Sequence, residues 1–316
     1  MSENILTNNN IISNELEHVL AEICPEFRNE NDLLIPLYKP TKFSKKILVI
    51  SGGGIKGIYF IGALHSLYEM HILNDFEIYA GTSVGAILLF LINIGYTPIE
   101  LFNIIKNMDL TKLKKINMVD IFDTFGLDNG NKFLRLLKKL TVKKKISCDI
   151  TFNDLFEMTK KKLIVTVTNI NKRCAEYMSY ETHPNLPILQ ALRMSLSVPL
   201  LFSPVLFNNN YYVDGGCTDN FPIGLFSHRK DELLGICASI KKQNNVEIKT
   251  IDEYIYQLIS SIYFGSANEP TKNFDKNIIK IFYGDENPIK FDLSHEEKDA
   301  MFELGYSASH EYFEGN

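Results

Sequence analysis

Residues 46–57 read Lys46-Ile47-Leu48-Val49-Ile50-Ser51-Gly52-Gly53-Gly54-Ile55-Lys56-Gly57, and residues 76–85 read Phe76-Glu77-Ile78-Tyr79-Ala80-Gly81-Thr82-Ser83-Val84-Gly85. The first stretch opens with an apolar run between a charged flank and three glycines, as expected of a strand buried on both faces. From Gly57 to Met70 apolar residues recur at helical spacing, Phe76 to Ala80 reads as a second strand, and Val84 to Ile94 reads as a buried helix. Strand, turn and helix, twice over, predict an α/β fold with a largely parallel sheet and helices on its faces. Ligands of such a sheet gather where the C-terminal ends of the strands open.

The pattern continues downstream. Leu163 to Ile170 and Ala175 to Tyr180 are β-rich runs separated by Asn171-Lys172-Arg173, which suits a hairpin or an edge excursion, and Leu186 to Leu196 is helical in pattern. Tyr211-Tyr212-Val213 leads into Asp214-Gly215-Gly216, and Leu233 to Ile240 and Ile278 to Tyr283 read as two further buried strands. Ser294 followed by Glu297 is a helix N-cap signature, opening a helix that runs towards Phe313. Residues 1–45 read as an extension, with a polar tract at Asn8 to Asn10, a short amphipathic stretch from Leu16 to Ile23, and prolines at 25, 36 and 40. No repeat or linker divides the rest, so residues 46–316 are expected to form one domain.

The chain has 316 residues, 45% of them hydrophobic, which is enough to bury a full core. A formal net charge of -5 gives no global positive field for nucleic acid. The longest apolar stretch, Gly85 to Tyr96, is broken by Asn93 and falls short of the roughly 20 residues of a spanning helix. The N-terminus carries no basic region followed by an apolar core, so a cytoplasmic location is expected. Cysteines at 24, 148, 174, 217 and 237 are odd in number and form no CxxC, which argues for reduced thiols and against a disulfide framework or a zinc site.

Gly81-Thr82-Ser83-Val84-Gly85 sits between a predicted strand and a predicted helix, the setting of a nucleophile elbow. There a serine is held on a tight turn near the positive end of a helix. A serine needs a base and its tetrahedral intermediate needs hydrogen-bond donors. Ser51 to Gly57 offers consecutive backbone N–H groups at the end of the first strand. It also spells GxGxxG, but Ile58 and Tyr59 stand where a phosphate-binding loop needs Lys and Ser or Thr, and the second strand ends in Ala80 where a dinucleotide site wants an acid. None of the histidines at 18, 65, 71, 183, 228, 295 and 310 lies in a turn that reads as catalytic. Asp214, between a short strand and two glycines, is the better base, provided burial raises its carboxyl from about 3.9.

Together these residues resemble the patatin-like phospholipases, serine acyl hydrolases with a Ser/Asp dyad and a three-layer α/β/α fold. Gly52 to Gly57 is similar to the family's oxyanion loop, with Lys56 where Arg is common; Gly81 to Gly85 matches the elbow; Asp214-Gly215-Gly216, followed by Asn220 and Pro222, resembles the aspartate block. Ala191 to Pro204 is a softer match. The resemblance implies Ser83 as nucleophile, Asp214 as base, an oxyanion hole from Gly52, Gly53, Gly54 and Ile55, and Lys56 against a lipid phosphate. It implies a phospholipid or other acyl-ester lipid as substrate and neither metal nor cofactor. Lys132 to Lys145 sets Phe133, Leu134, Leu136, Leu137 and Leu140 among seven positive charges, a pattern that suits peripheral membrane contact or a core-packed helix with a basic outer face. Two rivals stand beside this reading: an esterase triad of Ser83, Asp214 and one of His228, His295 or His310, and a non-catalytic lipid-binding or host-interaction protein on the same scaffold.

Overall fold

The computed structural model describes residues 43–113, 124–240, 247–271, 273–283 and 292–315. The extension expected over residues 1–45 lies almost wholly outside them. In chain order the regular elements begin with β1 (Ile47–Ile50), α1 (Gly57–Glu69), β2 (Ile78–Thr82), α2 (Val84–Asn93), α3 (Pro98–Lys106), β3 (Gly126–Asp128), α4 (Asn131–Lys143), α5 (Phe152–Thr159) and β4 (Lys162–Asn169). There follow β5 (Cys174–Met178), α6 (Ile188–Ser195), β6 (Leu200–Phe202), β7 (Val205–Phe207), β8 (Asn210–Asp214), β9 (Leu233–Ile240), α7 (Ile251–Thr271), β10 (Ile278–Tyr283) and α8 (His295–Glu314).

The central sheet runs β10-β9-β1-β2-β4-β8-β7, with β5 also paired to β4. The pairings from β10 through β4 are parallel, while β5, β8 and β7 join antiparallel. Period-2 alternation divides the side chains of β1 between two cores. Leu48 and Ile50 enter the larger one, shared with α1, α2 and α8, whereas Ile47 and Val49 enter a smaller one with Phe221, Ile223, Phe226 and Phe274. Both faces are covered, so the strand is an unbroken apolar run. The hairpin expected around residue 171 is β4–β5, turning at Arg173 with φ 59°.

The expected N-cap forms: Ser294 and Glu297 exchange side-chain and backbone hydrogen bonds at the start of α8. Of the helical stretch at 132–145, Phe133, Leu136, Leu137 and Leu140 turn inward onto a cavity wall and Leu134 packs on the same core. An exposed apolar stripe lies instead on α7, where Ile251, Tyr254, Leu258 and Ile262 follow one another a turn apart. No helix among the described residues is long and apolar enough to cross a membrane.

α1 and α8 cross at two glycines with backbone against backbone. A Cβ at Gly62 would lie 2.0 Å from Phe302 O, and one at Gly305 would lie 1.8 Å from Tyr59 O. Gly62→Ala and Gly305→Ala are each expected to cost about 1–3 kcal/mol through overpacking, read as a lower midpoint in urea. Gly224→Ala, where nothing lies within 4 Å, is the near-neutral control.

Candidate active site

β2 ends at Thr82, and Ser83 turns the chain into α2 with φ 52° and ψ -124°, a region that L-residues other than glycine rarely enter. The turn closes because its flanking glycines have no side chains. A Cβ on Gly81 would meet Ala86 N at 2.6 Å, and one on Gly85 would meet Ile50 O at 2.6 Å. The Ser83 N–H donates to Ser195 Oγ at 2.8 Å, and Ser195 Oγ donates to Thr166 O at 2.7 Å. The elbow is thereby tied to β4 through α6. Ser83 itself is only 7% exposed.

Register brings Asp214 to it. Thr82 pairs with Thr166 on one side of β4, and Val167 pairs with Asp214 on the other. Ser83 and Asp214 therefore lie two strand spacings apart, roughly 10 Å between backbones, with side chains meeting over β4. The sequence suggests that a strand carries Asp214 to its own C-terminal end at the mouth of a parallel sheet; β8 is in fact antiparallel to β4, entering at the open end and delivering Asp214 on the way back. The backbone is fixed by Asp214 N–H to Ser197 O at 2.9 Å and by Thr168 Oγ1 to Asp214 O at 2.8 Å. Gly215 and Gly216 begin the turn that follows, and Gly216 N–H donates to Asp214 Oδ1 at 2.7 Å. Oδ2 is buried with no hydrogen-bond partner among the described residues. Burial pushes the Asp214 carboxyl up to about 7; Gly216 N–H and the facing Ser83 and Tyr263 side chains pull it partly back.

The glycine loop lies beside both residues. Gly54 adopts φ 56°, which favours glycine, and Gly54, Ile55 and Gly57 line a cavity together with Ser83. The N–H groups of Gly53, Gly54 and Ile55 make no hydrogen bond among the described residues. Gly52 departs from its expected place in the oxyanion hole: its N–H donates to Asn220 O at 2.9 Å, so it anchors the loop and has no donor to spare. A Cβ there would sit 2.3 Å from Asn220 Oδ1, which explains the glycine. Lys56 turns to Tyr283, bonding its hydroxyl and lying 4.1 Å from its ring centroid, so a lipid phosphate has to compete with that contact.

The cavity has a volume of about 220 Å³, and Ser83 is part of its lining. Leu88, Leu91, Ile104, Phe133 and Leu137 are among the apolar side chains of its wall. None of the three histidines of the alternative triad acts on Asp214: His228 and His295 are exposed, and His310 pairs with Glu314 on its own helix at 3.1 Å. Among the described residues no cluster of three His, Cys, Asp or Glu is placed to hold a metal ion. Ser195, Asn220 and Tyr263 join the site without having been singled out for a role. For the first two the only signal was their place in, or just after, stretches that resemble family blocks; for Tyr263 there was none.

A family model described as "Patatin-like phospholipase" matches residues 48–227, more than half of the chain, and the protein belongs to that family. "Probable lipid hydrolase 463L" of Invertebrate iridescent virus 6 is 39% identical over 183 residues, covering 57% of this chain and 62% of that protein, which is under two thirds of its length. The uncharacterised YqhO of Bacillus subtilis is 30% identical over 278 residues, covering 81% of this chain and 94% of its own. Among solved structures, VipD from Legionella pneumophila superposes with a TM-score of 0.56 at 20% identity, over 94% of this chain and 73% of that one, which shows a shared fold.

An unfolded aspartate ionises near 3.8 and the folded Asp214 near 7, so the native state binds the extra proton between those values and loses stability as pH rises through them. Asp214→Asn has no such term. Its melting temperature is expected to exceed that of the wild type at pH 8, with the gap closing towards pH 4, in parallel thermal scans.

Proposed function

We propose that the protein is a lipid acyl hydrolase, of phospholipase A or lysophospholipase type, working through a Ser83 acyl-enzyme with Asp214 as general base. The observation that carries this reading is the meeting of Ser83, on the wall of an apolar cavity, with a buried, raised-pKa carboxyl, beside unbonded backbone N–H groups. Asp214 as carboxylate takes the Ser83 proton while Oγ bonds to the ester carbonyl carbon. The oxyanion is held by the N–H groups of Gly53 and Gly54, which cost no reorganisation because the loop already holds them. As the intermediate collapses, the acyl–oxygen bond breaks and Asp214 returns the proton to the leaving alcohol. Water then repeats the sequence, with Ser83 as leaving group. The fatty-acyl chain lies along the apolar wall formed by α2, α3 and α4.

A carboxyl that titrates near 7 suits this work. Most of it is ionised just above neutrality, yet it is basic enough to hold a proton in transit. Release of fatty acid from phospholipid, lysophospholipid and triacylglycerol tests the reading. Ser83→Ala and Asp214→Asn are each expected to lower the rate on the preferred lipid by at least about 10³-fold, and wild-type kcat/KM is expected to fall on the acid side with an apparent pKa of about 7. Equal rates for all three proteins end the proposal.

A further inference from the structure

Among the described residues no cation balances the buried Asp214 carboxylate. Among the described residues, the titratable group that acts on its charge is the Tyr263 phenol, from α7, while the Cys217 thiol, from the turn after Asp214, feels that charge in turn. α7 packs against that turn. Ser266 Oγ donates to Gly216 O at 2.8 Å, and the Tyr263 ring closes on the same glycine: a Cβ there would lie 3.0 Å from Tyr263 Cε2 and 3.0 Å from Asp214 Oδ1. Tyr263 Oη and Asp214 Oδ2 are both buried, and each lacks a hydrogen-bond partner among the described residues.

Two adjacent buried polar atoms without partners are costly unless some protonation state pairs them. Burial pushes the Tyr263 phenol well above its ordinary value, so it remains an O–H donor, and it pushes Cys217 up to about 12, so the thiol stays neutral. A neutral Asp214 has little need of a second donor. Its carboxylate, with Gly216 N–H on Oδ1, needs one for Oδ2.

We propose that Tyr263 is a positioning residue for this reaction, its phenol O–H donating to the Asp214 carboxylate when the base form appears and fixing that carboxylate towards Ser83. The inference rests on the dyad reading given above. Tyr263 acts through Asp214 and moves no proton of its own. Its hydroxyl does two things at once, favouring the ionised base and choosing one orientation for it.

The test uses the full chain with a p-nitrophenyl ester and with phosphatidylcholine in mixed micelles. Tyr263→Phe is expected to lower kcat roughly 10-fold at pH 7 with KM within about 2-fold, and to move the acid limb of kcat/KM up by about one pH unit, the worth of one hydrogen bond to a charged group. 3-Fluorotyrosine at position 263, a stronger donor of nearly the same shape, is expected to move the limb the other way. An unchanged kcat and limb in Tyr263→Phe, with Asp214→Asn inactive, overturns the Tyr263 assignment alone. A rise in KM without a shift of the limb overturns it too, since the residue then shapes only the lipid site. Activity retained in Asp214→Asn overturns the dyad beneath both. Should Tyr263→Phe melt early, the fluorotyrosine protein decides, because a limb that does not move down refutes the proposal.

Discussion

Among the described residues no cation acts on the buried Asp214 carboxyl, and the proposed chemistry turns on that. Pairing with a guanidinium would hold an aspartate low and leave it a poor acceptor at neutral pH; burial does the opposite, and at Asp214 it outweighs the groups that favour the charge and pushes the carboxyl up to about 7. The surroundings follow from that choice. One oxygen receives a backbone N–H, which does not titrate, and the hydroxyl groups near the other are neutral. The aspartate backbone is fixed from two directions, by Ser197 and Thr168, as the proposed role of a base requires. Burying this carboxyl costs stability above neutral pH, and in the proposed mechanism that cost goes with a group able to exchange a proton there.

The second cost lies at Ser83. A non-glycine residue at φ 52° and ψ -124° stores roughly 1–3 kcal/mol, and such a geometry persists only where the surroundings over-determine it. Here Gly81 and Gly85 let the backbone close, Ser195 holds the serine N–H, and the apolar residues of α2 are buried beneath. The strain sits on the residue whose hydroxyl must stand clear of its own helix.

The repeated strand-turn-helix unit was legible because β1 is buried on both faces and therefore written as an uninterrupted apolar run. Ser83 and Asp214 were legible for a local reason, each lying in a turn whose glycines have a job. Their adjacency was not, because it depends on β4 being the strand between them and on β8 running backwards beside it. The role of Gly52 was hidden for a similar reason: whether an N–H is a donor for substrate or an anchor is decided by Asn220, far along the chain. The periodicity of α4 showed that an apolar face exists, and could not say that α2 and α3 cover it. Tyr263 left no trace at all, since one tyrosine on a long helix has no spacing to give it away.

The crossing of α1 and α8 reaches the chemistry from a distance. α1 starts where the glycine loop ends, and at Gly62 and Gly305 the two helices touch through main-chain atoms with no layer of side chains between them to yield. Such a joint behaves as one splinted beam with the glycine loop at its tip. Loosening the final helix would tilt that tip before the sheet felt any disturbance, so warming the protein should blunt turnover ahead of gross unfolding.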